Sequence, residues 1–352
     1  MNRRTAIVSL LALGLMAWFL RGADLLDVWR QVRQVRGGLL LASLFAVAVC
    51  FVARTIRWRY LLSPLGPTRF RTAFRTTIIG FGALGLLPVR AGDLIRPYLF
   101  ARQEGLSTSS VLATVVMERV LDLVAVLVLL AVYVWGFAGD NDLPAALLRP
   151  IEISAAIAAG AAVTLLVVMW VLATHPERIG VIAAAAARVL PGRLSERVGR
   201  LASAFSSGFA AARDMRMLLL AVLWSFPVWL AVAAQAWAVT VAFGIAMPYT
   251  GTFLLQSLLV IGVAVPTPGG VGSFHEAYRF GVTTFFGAGN AQAIAAAIVT
   301  HAISFMPPVL VGIVFMAQDG LSVGGLKDLA GAAREKERPD TNEVPVLRSS
   351  GR

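Results

Sequence analysis

Four acids and four arginines stand inside or beside the apolar runs of this chain: Asp93, Glu118, Asp122 and Glu276, with Arg90, Arg96, Arg119 and Arg279. An ion held in hydrocarbon is costly, so each of these needs a partner or a function. In Glu118-Arg119-x-x-Asp122 the two acids are four residues apart and share a helix face, while Arg119 is three from Asp122 and in reach of it. Two readings stay open: an ion cluster tying this helix to a neighbour, or a polar lining that touches a lipid head group or carries protons. In Pro88-Val89-Arg90-Ala91-Gly92-Asp93, Asp93 suits the N-cap of a helix that begins at Leu94, with Pro97 tolerated in its first turn. Arg90, and with it Arg96, is a candidate phosphate clamp at the positive end of that helix.

The run Pro266-Thr267-Pro268-Gly269-Gly270-Val271-Gly272-Ser273-Phe274-His275-Glu276 is the second candidate. Ser273 and Glu276 stand three apart, which fits a capping box opening a helix. Gly269, Gly270 and Gly272 leave backbone N–H groups open where the helix dipole favours an anion. The run is either a tight turn between half-helices or a cradle for an anionic head group. No Gly-Lys-Ser/Thr follows, which excludes a nucleotide P-loop. His275 has a side chain that can titrate near neutral pH, but a lone histidine is more often structural. Arg279 and Glu276 complete the group.

Other chemistries find no residues. There is no serine elbow and no dinucleotide fingerprint. The single cysteine, Cys50, sits in an apolar run, and the three histidines (His175, His275, His301) lie far apart, so neither disulfides nor a zinc site is expected. No cofactor, metal or nucleic-acid partner is expected.

The elements that must position these residues follow from composition. Of 352 residues, 58% are hydrophobic and 14% charged, with mean hydropathy +0.77. A water-soluble core of this size could not hide so much apolar surface. Long continuous apolar runs, rather than alternating ones, exclude a transmembrane barrel. The expected class is an all-α polytopic membrane protein with eight hydrophobic segments: about six full transmembrane helices plus two re-entrant or broken helical hairpins.

Residues 5–20 form the first span, following Arg3-Arg4 and lacking a cleavage site. Residues 22–36 read as an interfacial amphipathic helix, with Leu25, Val28, Trp29, Val32 and Val35 at helical spacing. The other spans are 37–53, 111–137, 151–173, 217–244 (kinked at Pro227) and 291–317 (broken at Pro307-Pro308). Segments 76–89 and 253–266 are short and end in Pro/Gly interruptions, the second followed by a further short apolar stretch, 277–287. Irregular backbone at membrane depth is tolerated only where protein or a wet cavity surrounds it. Matching interruptions in two halves point to a midplane binding site. One hairpin, 76–95, is expected to enter from the cytoplasm and the other, 253–287, from outside.

The net charge of +12 then becomes topology. With both hairpins re-entrant and the N-terminus inside, 23 of the 31 basic residues fall on the cytoplasmic side, five outside, and three (Arg90, Arg119, Arg279) in membrane segments. The cytoplasmic set includes the six arginines of 54–75, where Trp58 and Tyr60 read as interface anchors, and the loop 174–216, with a surface helix near 180–190. Residues 1–320 form the transmembrane domain and 321–352 a disordered cytoplasmic tail. Both termini are expected inside.

Four motifs in order carry a resemblance: Arg57-Trp58-x-x-Leu61-Leu62, Leu87-Pro88-Val89-Arg90-Ala91-Gly92-Asp93, Glu118-Arg119-x-x-Asp122, and Pro266-Thr267-Pro268-Gly269-Gly270-Val271-Gly272-x-x-x-Glu276. Over roughly residues 5–320 the chain resembles the lysylphosphatidylglycerol synthase transmembrane-region family, the flippase-like family also called UPF0104. Its pattern often has Glu where this chain has Asp93. The resemblance implies a bacterial inner-membrane protein that translocates or handles lipid. Some 30 residues follow the last span, so the soluble aminoacyl-transfer domain of the two-domain members is expected to be absent and no lysyl-lipid made. The expected partner is a membrane lipid: a phospholipid, a glycolipid, a polyprenyl-linked sugar or a hopanoid-type lipid. A homo-oligomer stays open.

Three functions follow. The first is transport of an anionic or polar-headed lipid, with Arg90, Arg96 and Arg119 neutralising phosphate, glycines supplying donors, and Asp93, Glu118, Asp122 and Glu276 holding the arginines or coupling protons. The second is a membrane-embedded transferase or hydrolase on a lipid-linked substrate, for which no nucleophile–base set is apparent. The third is a non-catalytic subunit of an envelope-lipid assembly, with the charges as packing pairs.

Overall fold

The computed structural model describes residues 3–21, 24–86, 92–137, 145–175, 214–265 and 267–321. Among these residues the chain is all helix, with no strand. Arg90, the loop helix near 180–190 and the tail from 322 lie outside the described residues.

The helices in chain order are α1 (Arg3–Leu20), α2 (Leu25–Arg33), α3 (Gly37–Leu62), α4 (Phe70–Leu86), α5 (Gly92–Glu104), α6 (Thr108–Gly136), α7 (Ala145–Thr174), α8 (Met215–Ala242), α9 (Gly251–Ala264), α10 (Ser273–Phe286) and α11 (Asn290–Gln318). Helices α3, α8 and α11 contain the stretches long and apolar enough to cross a membrane by length and composition. The 26 residues of α3 reach about 39 Å, more than a hydrocarbon core of about 30 Å. Exposed Leu41, Phe45, Ile157, Leu223 and Ile261 suit a lipid-facing surface on this multi-pass protein.

Local signals set several boundaries. Asp24 caps α2 by accepting from the N–H groups of Leu26 (2.9 Å) and Asp27 (3.3 Å), and Asp214 caps α8 in the same way. Helix α2 is shorter than the expected 22–36 segment. It packs on α11, with Val28 buried and Trp29 exposed. Helix α3 ends at Ser63-Pro64, nine residues later than expected. Pro227 in α8, and Pro307 with Pro308 in α11, are carried inside continuous helices, so the expected break at Pro307-Pro308 is not one.

Both short segments form the first arm of a helical hairpin. Helices α4 and α5 pack on each other, and so do α9 and α10. Glycine lets the backbones close: a Cβ on Gly92 would overlap the Gly80 carbonyl and Leu84, and one on Gly262 would come within 2.8 Å of the Ser273 carbonyl. The tips meet. The turn Pro268–Gly270 packs on α4, with Gly85 O 3.9 Å from where a Cβ of Gly269 would stand. Helix α3 runs against α8, α4 against α11, and α6 against α7, while α1, α4 and α9 pack on the turn Pro268–Gly270.

Candidate functional site

The site is built on one face of α6. Glu118 and Asp122, four apart, point at α3, where Arg54 and Arg57, three apart, also share a face. Glu118 is fully buried. Its Oε1 lies 3.1 Å from Arg96, 3.2 Å from Arg57 and 3.4 Å from Arg54. Asp122 accepts from Arg57 at 2.7 Å and from the Trp229 indole N–H at 3.0 Å through Oδ1, and faces Arg54 (3.3 Å) and Arg119 (3.4 Å) through Oδ2. Arg119 also reaches Asp93 at 3.3 Å.

Aromatic faces complete the coordination. The Arg96 guanidinium stacks 3.8 Å above the Trp58 ring, which is held by its N–H donating to Thr114 at 3.0 Å. Arg54 and Arg119 both approach Phe81 of α4. Among the described residues the cluster counts four guanidiniums against three carboxylates, a surplus of one positive charge. Several donors still lack hydrogen-bond acceptors, including Nε of Arg54 and Nη2 of Arg96.

Arg54, Arg119 and Asp93 form one side of a cavity of about 280 Å³ that runs to the hairpin tips. Leu84 of α4 and Thr267, Gly269 and Gly270 of the second interruption line it, as do Gln235 of α8 and Ser304 of α11. Cys50, Phe51, Ala231 and Phe305 add apolar wall. An apolar cleft with a few convergent polar groups is the usual form of a ligand site.

The sequence-derived candidates divide. Asp93, Arg96, Glu118, Arg119 and Asp122 come together. Gly269 and Gly270 join the same cavity, both with positive φ, 60° and 71°. The open-donor expectation is not met at two glycines: Gly270 N–H donates to Thr267 O (3.1 Å) and Gly272 N–H to His275 Nδ1 (3.3 Å). Gly272, at φ 87°, packs against Leu15 of α1. Arg279 does not join the cluster. It pairs with Glu276 at 2.6 Å, bonds Asn290 at the start of α11, and does not line the cavity.

The proposed caps also differ. Asp93 sits in the first turn of α5 and pairs with Arg119, because a guanidinium within reach outcompetes a backbone N–H. Ser273 begins α10 with its hydroxyl turned to Thr267 and Gly270, and Glu276 is taken by Arg279. His275 and His301, distant in sequence, lie with rings 4.6 Å apart among Phe19, Phe274 and Phe305. His301 Nε2 is 2.7 Å from Gly269 O, holding the second tip. No group of three His, Cys, Asp or Glu able to hold a metal gathers among the described residues.

Arg54 and Arg57, counted in the sequence as cytoplasmic loop residues, are in fact buried in α3, and Arg96 is buried in α5. Trp58 is fully buried, not an interface anchor. The available signal was the absence of any stop residue in α3 before Ser63-Pro64, which keeps Arg54 and Arg57 in helical register. Gln235 and Ser304 gave none, since uncharged polar residues in apolar spans are unremarkable.

A family profile described as the lysylphosphatidylglycerol synthase TM region matches residues 5–312. The chain belongs to that family. All the cluster and cavity residues named above fall inside the region that this transmembrane family covers. A family relative is the protein named glycosyltransferase AglD of Haloferax volcanii, 26% identical over 366 aligned residues, which take in 96% of this chain and 58% of the relative. The chain thus spans a little over half the length of that relative.

Proposed function

We propose that this protein moves an anionic or polar-headed membrane lipid between leaflets, holding the head group in the cavity where the two hairpins meet. The observation that carries this reading is the cavity itself. Two guanidiniums at its wall belong to a buried cluster with a surplus positive charge, and the rest of the wall is mostly apolar. A phosphate suits such a pole through charge-assisted hydrogen bonds. The apolar wall suits the first carbons of an acyl or prenyl chain.

Roles within the cluster separate by access. Arg54 and Arg119 line the cavity and would meet the phosphate. Arg57 and Arg96 do not line it, and hold Glu118 and Asp122 in place. Arg90, in the interruption of the first hairpin, remains a candidate clamp. Gly269 supports the cavity as backbone, while Glu276, Arg279 and His275 stiffen the second hairpin. Both termini are assigned to the cytoplasmic side of a bacterial inner membrane on the distribution of basic residues.

The test is transport of fluorescent phosphatidylglycerol in proteoliposomes. Arg119→Gln, whose side chain is 42% exposed and whose loss leaves Asp122 with Arg54 and Arg57, should lower the rate about tenfold, the worth of one charge-assisted hydrogen bond, with a smaller change in melting temperature than Glu118→Gln. Arg90→Ala should behave alike. Unchanged rates in both remove this site. For the hairpins, cysteines at Leu84 and Val271 in a Cys50→Ala background should each react only from the side that the hairpin enters; the opposite pattern at either overturns the topology.

A second reading draws on the name of the Haloferax volcanii relative. The domain would hold a lipid-linked substrate for glycosyl transfer. A new product formed by purified protein from a lipid-linked sugar would favour it over transport.

A further inference from the structure

The cavity has a second polar pole that no charge marks. Gln235 of α8 is 4% exposed and lines the cavity beside Ser304 of α11. Cys50 lies one turn from Arg54 along α3, and Ala231, which packs with Cys50, lies one turn from Gln235 along α8. Helices α3 and α8 run antiparallel, Arg57 bonding Ser225 and Arg36 N–H donating to Ala242 O, so the two poles are roughly 11 Å apart along the helices, two turns. A phosphate followed by a glycerol or a single sugar covers that span.

Proton counting shows what this pole lacks. The Ser304 hydroxyl lies 2.7 Å from Thr300 O and 3.2 Å from Gln235 Oε1, yet has one proton to give. With Oε1 facing Ser304, the amide Nε2 of Gln235 has no acceptor among the described residues. If the proton goes to the nearer Thr300 carbonyl, the amide turns over, Nε2 donates to Ser304, and Oε1 is the atom left over. Either way one end of a buried amide is unpaired, which disfavours the empty state. A hydroxyl answers both cases, because it donates and accepts.

A cationic head group fits poorly. Among the described residues the cavity has one lining carboxylate, Asp93, already engaged by Arg119, against the guanidiniums of Arg54 and Arg119. An ammonium group there meets like charge.

We infer that Gln235, with Ser304, is a specificity site for a hydroxyl-bearing, uncharged head group, read on the far side of a phosphate held at Arg54 and Arg119. It rests on the lipid-binding reading above and adds which lipids enter. Both faces of the cavity select: the amide for hydroxyl, the guanidiniums against cations.

The test is competition for the purified full chain in detergent, read by native mass spectrometry. The probes are equimolar phosphatidylglycerol, phosphatidylmethanol (the same charge without hydroxyls) and lysyl-phosphatidylglycerol (one head-group hydroxyl kept, the other esterified, and two ammonium groups added). Wild type should retain phosphatidylglycerol about fivefold over phosphatidylmethanol, the worth of one neutral hydrogen bond, and over lysyl-phosphatidylglycerol by more. Gln235→Leu should bring phosphatidylglycerol and phosphatidylmethanol within twofold while retaining both. Equal retention of these two by wild type, or an undiminished preference in Gln235→Leu, overturns the inference. If Gln235→Leu does not fold, the wild-type ratios decide alone, and lysyl-phosphatidylglycerol retained as well as phosphatidylglycerol counts against it. Retention of neither anionic lipid sinks the lipid-binding reading instead. Glycerol 3-phosphate should displace nothing; displacement would assign the site to a soluble phosphate ester and overturn both.

Discussion

The two hairpins meet where the end of α4 touches the turn Pro268–Gly270, yet they carry their charges in different ways. The α4–α5 hairpin brings Asp93 and Arg96 into a cluster with residues from α3 and α6, where Glu118 alone faces three guanidiniums. The α9–α10 hairpin pairs its charges within itself, Glu276 with Arg279, at partly exposed positions beside Asn290. Its buried contacts are aromatic and imidazole rings with backbone carbonyls. The first hairpin is thus anchored by an ion network that spans the fold. The second is anchored by packing and by single hydrogen bonds to α8 and α11. A moving element would come from the second, whose ties can break one at a time. Breaking the first exposes several ions at once.

The largest effect should come from Glu118→Gln. Removing this carboxylate leaves Arg54, Arg57 and Arg96 repelling one another in a dry site, at a cost of about 3–5 kcal/mol. That is a fall of roughly 10 °C in melting temperature, or loss of monodisperse protein. A shift no larger than that of Glu276→Gln would erase the contrast between the hairpins.

Next come the glycine closures. Gly92→Ala should cost about 2–3 kcal/mol, since its methyl would overlap a backbone carbonyl of the facing arm, which cannot rotate away. Gly262→Ala meets the Ser273 carbonyl and the Ala277 methyl at 2.8 Å and should cost less, about 1–2 kcal/mol. Gly105→Ala, with open space around its Cβ but φ +70°, gives a reference for backbone strain alone. Thermal unfolding in detergent ranks the three, and Gly262 ranking above Gly92 would make the second hairpin the tighter one.

A smaller effect should follow Arg96→Lys. The charge survives, but the flat stack on Trp58 and the bond to Glu118 do not both survive on an ammonium. About 1–2 kcal/mol should be lost, with retention of phosphatidylglycerol unchanged because Arg96 does not line the cavity. Weakened retention would move Arg96 from support into the binding site.

Membrane character, the helical class and both interruptions were legible in the sequence, because length, hydropathy and Pro/Gly punctuation are local properties. Five of the seven ions of the cluster were legible too, and the spacing of Glu118 and Asp122 gives a shared face, whatever the fold. Their main partners were not. Arg54 and Arg57 look like loop residues once a span is ended at residue 53, and only the packing of α3 against α6 and α8 brings them to the acids. The cap assignments failed for a related reason. Asp93 and Glu276 satisfy local cap patterns, but each has a guanidinium within reach, Arg119 from another helix and Arg279 one turn on. Gln235 and Ser304 escaped because charge was the signal followed, and an amide in an apolar helix raises no flag until its bonds are counted.

The smallest effect belongs to Arg279→Gln, and it separates the hairpins most cleanly. Glu276 and Arg279 are one turn apart and partly exposed, so the pair is worth about 0–1 kcal/mol, and removing either partner should shift the melting temperature by no more than about 2 °C. The double variant Glu276→Gln with Arg279→Gln should return close to wild type, because no third ion shares the pair among the described residues. Glu118→Gln cannot be rescued in that way. Neutralising Arg54, Arg57 or Arg96 singly leaves two guanidiniums around the lost acid. The double-variant comparison therefore measures how many partners each carboxylate serves, and rescue of Glu118→Gln by one arginine change would reduce the cluster to a simple pair.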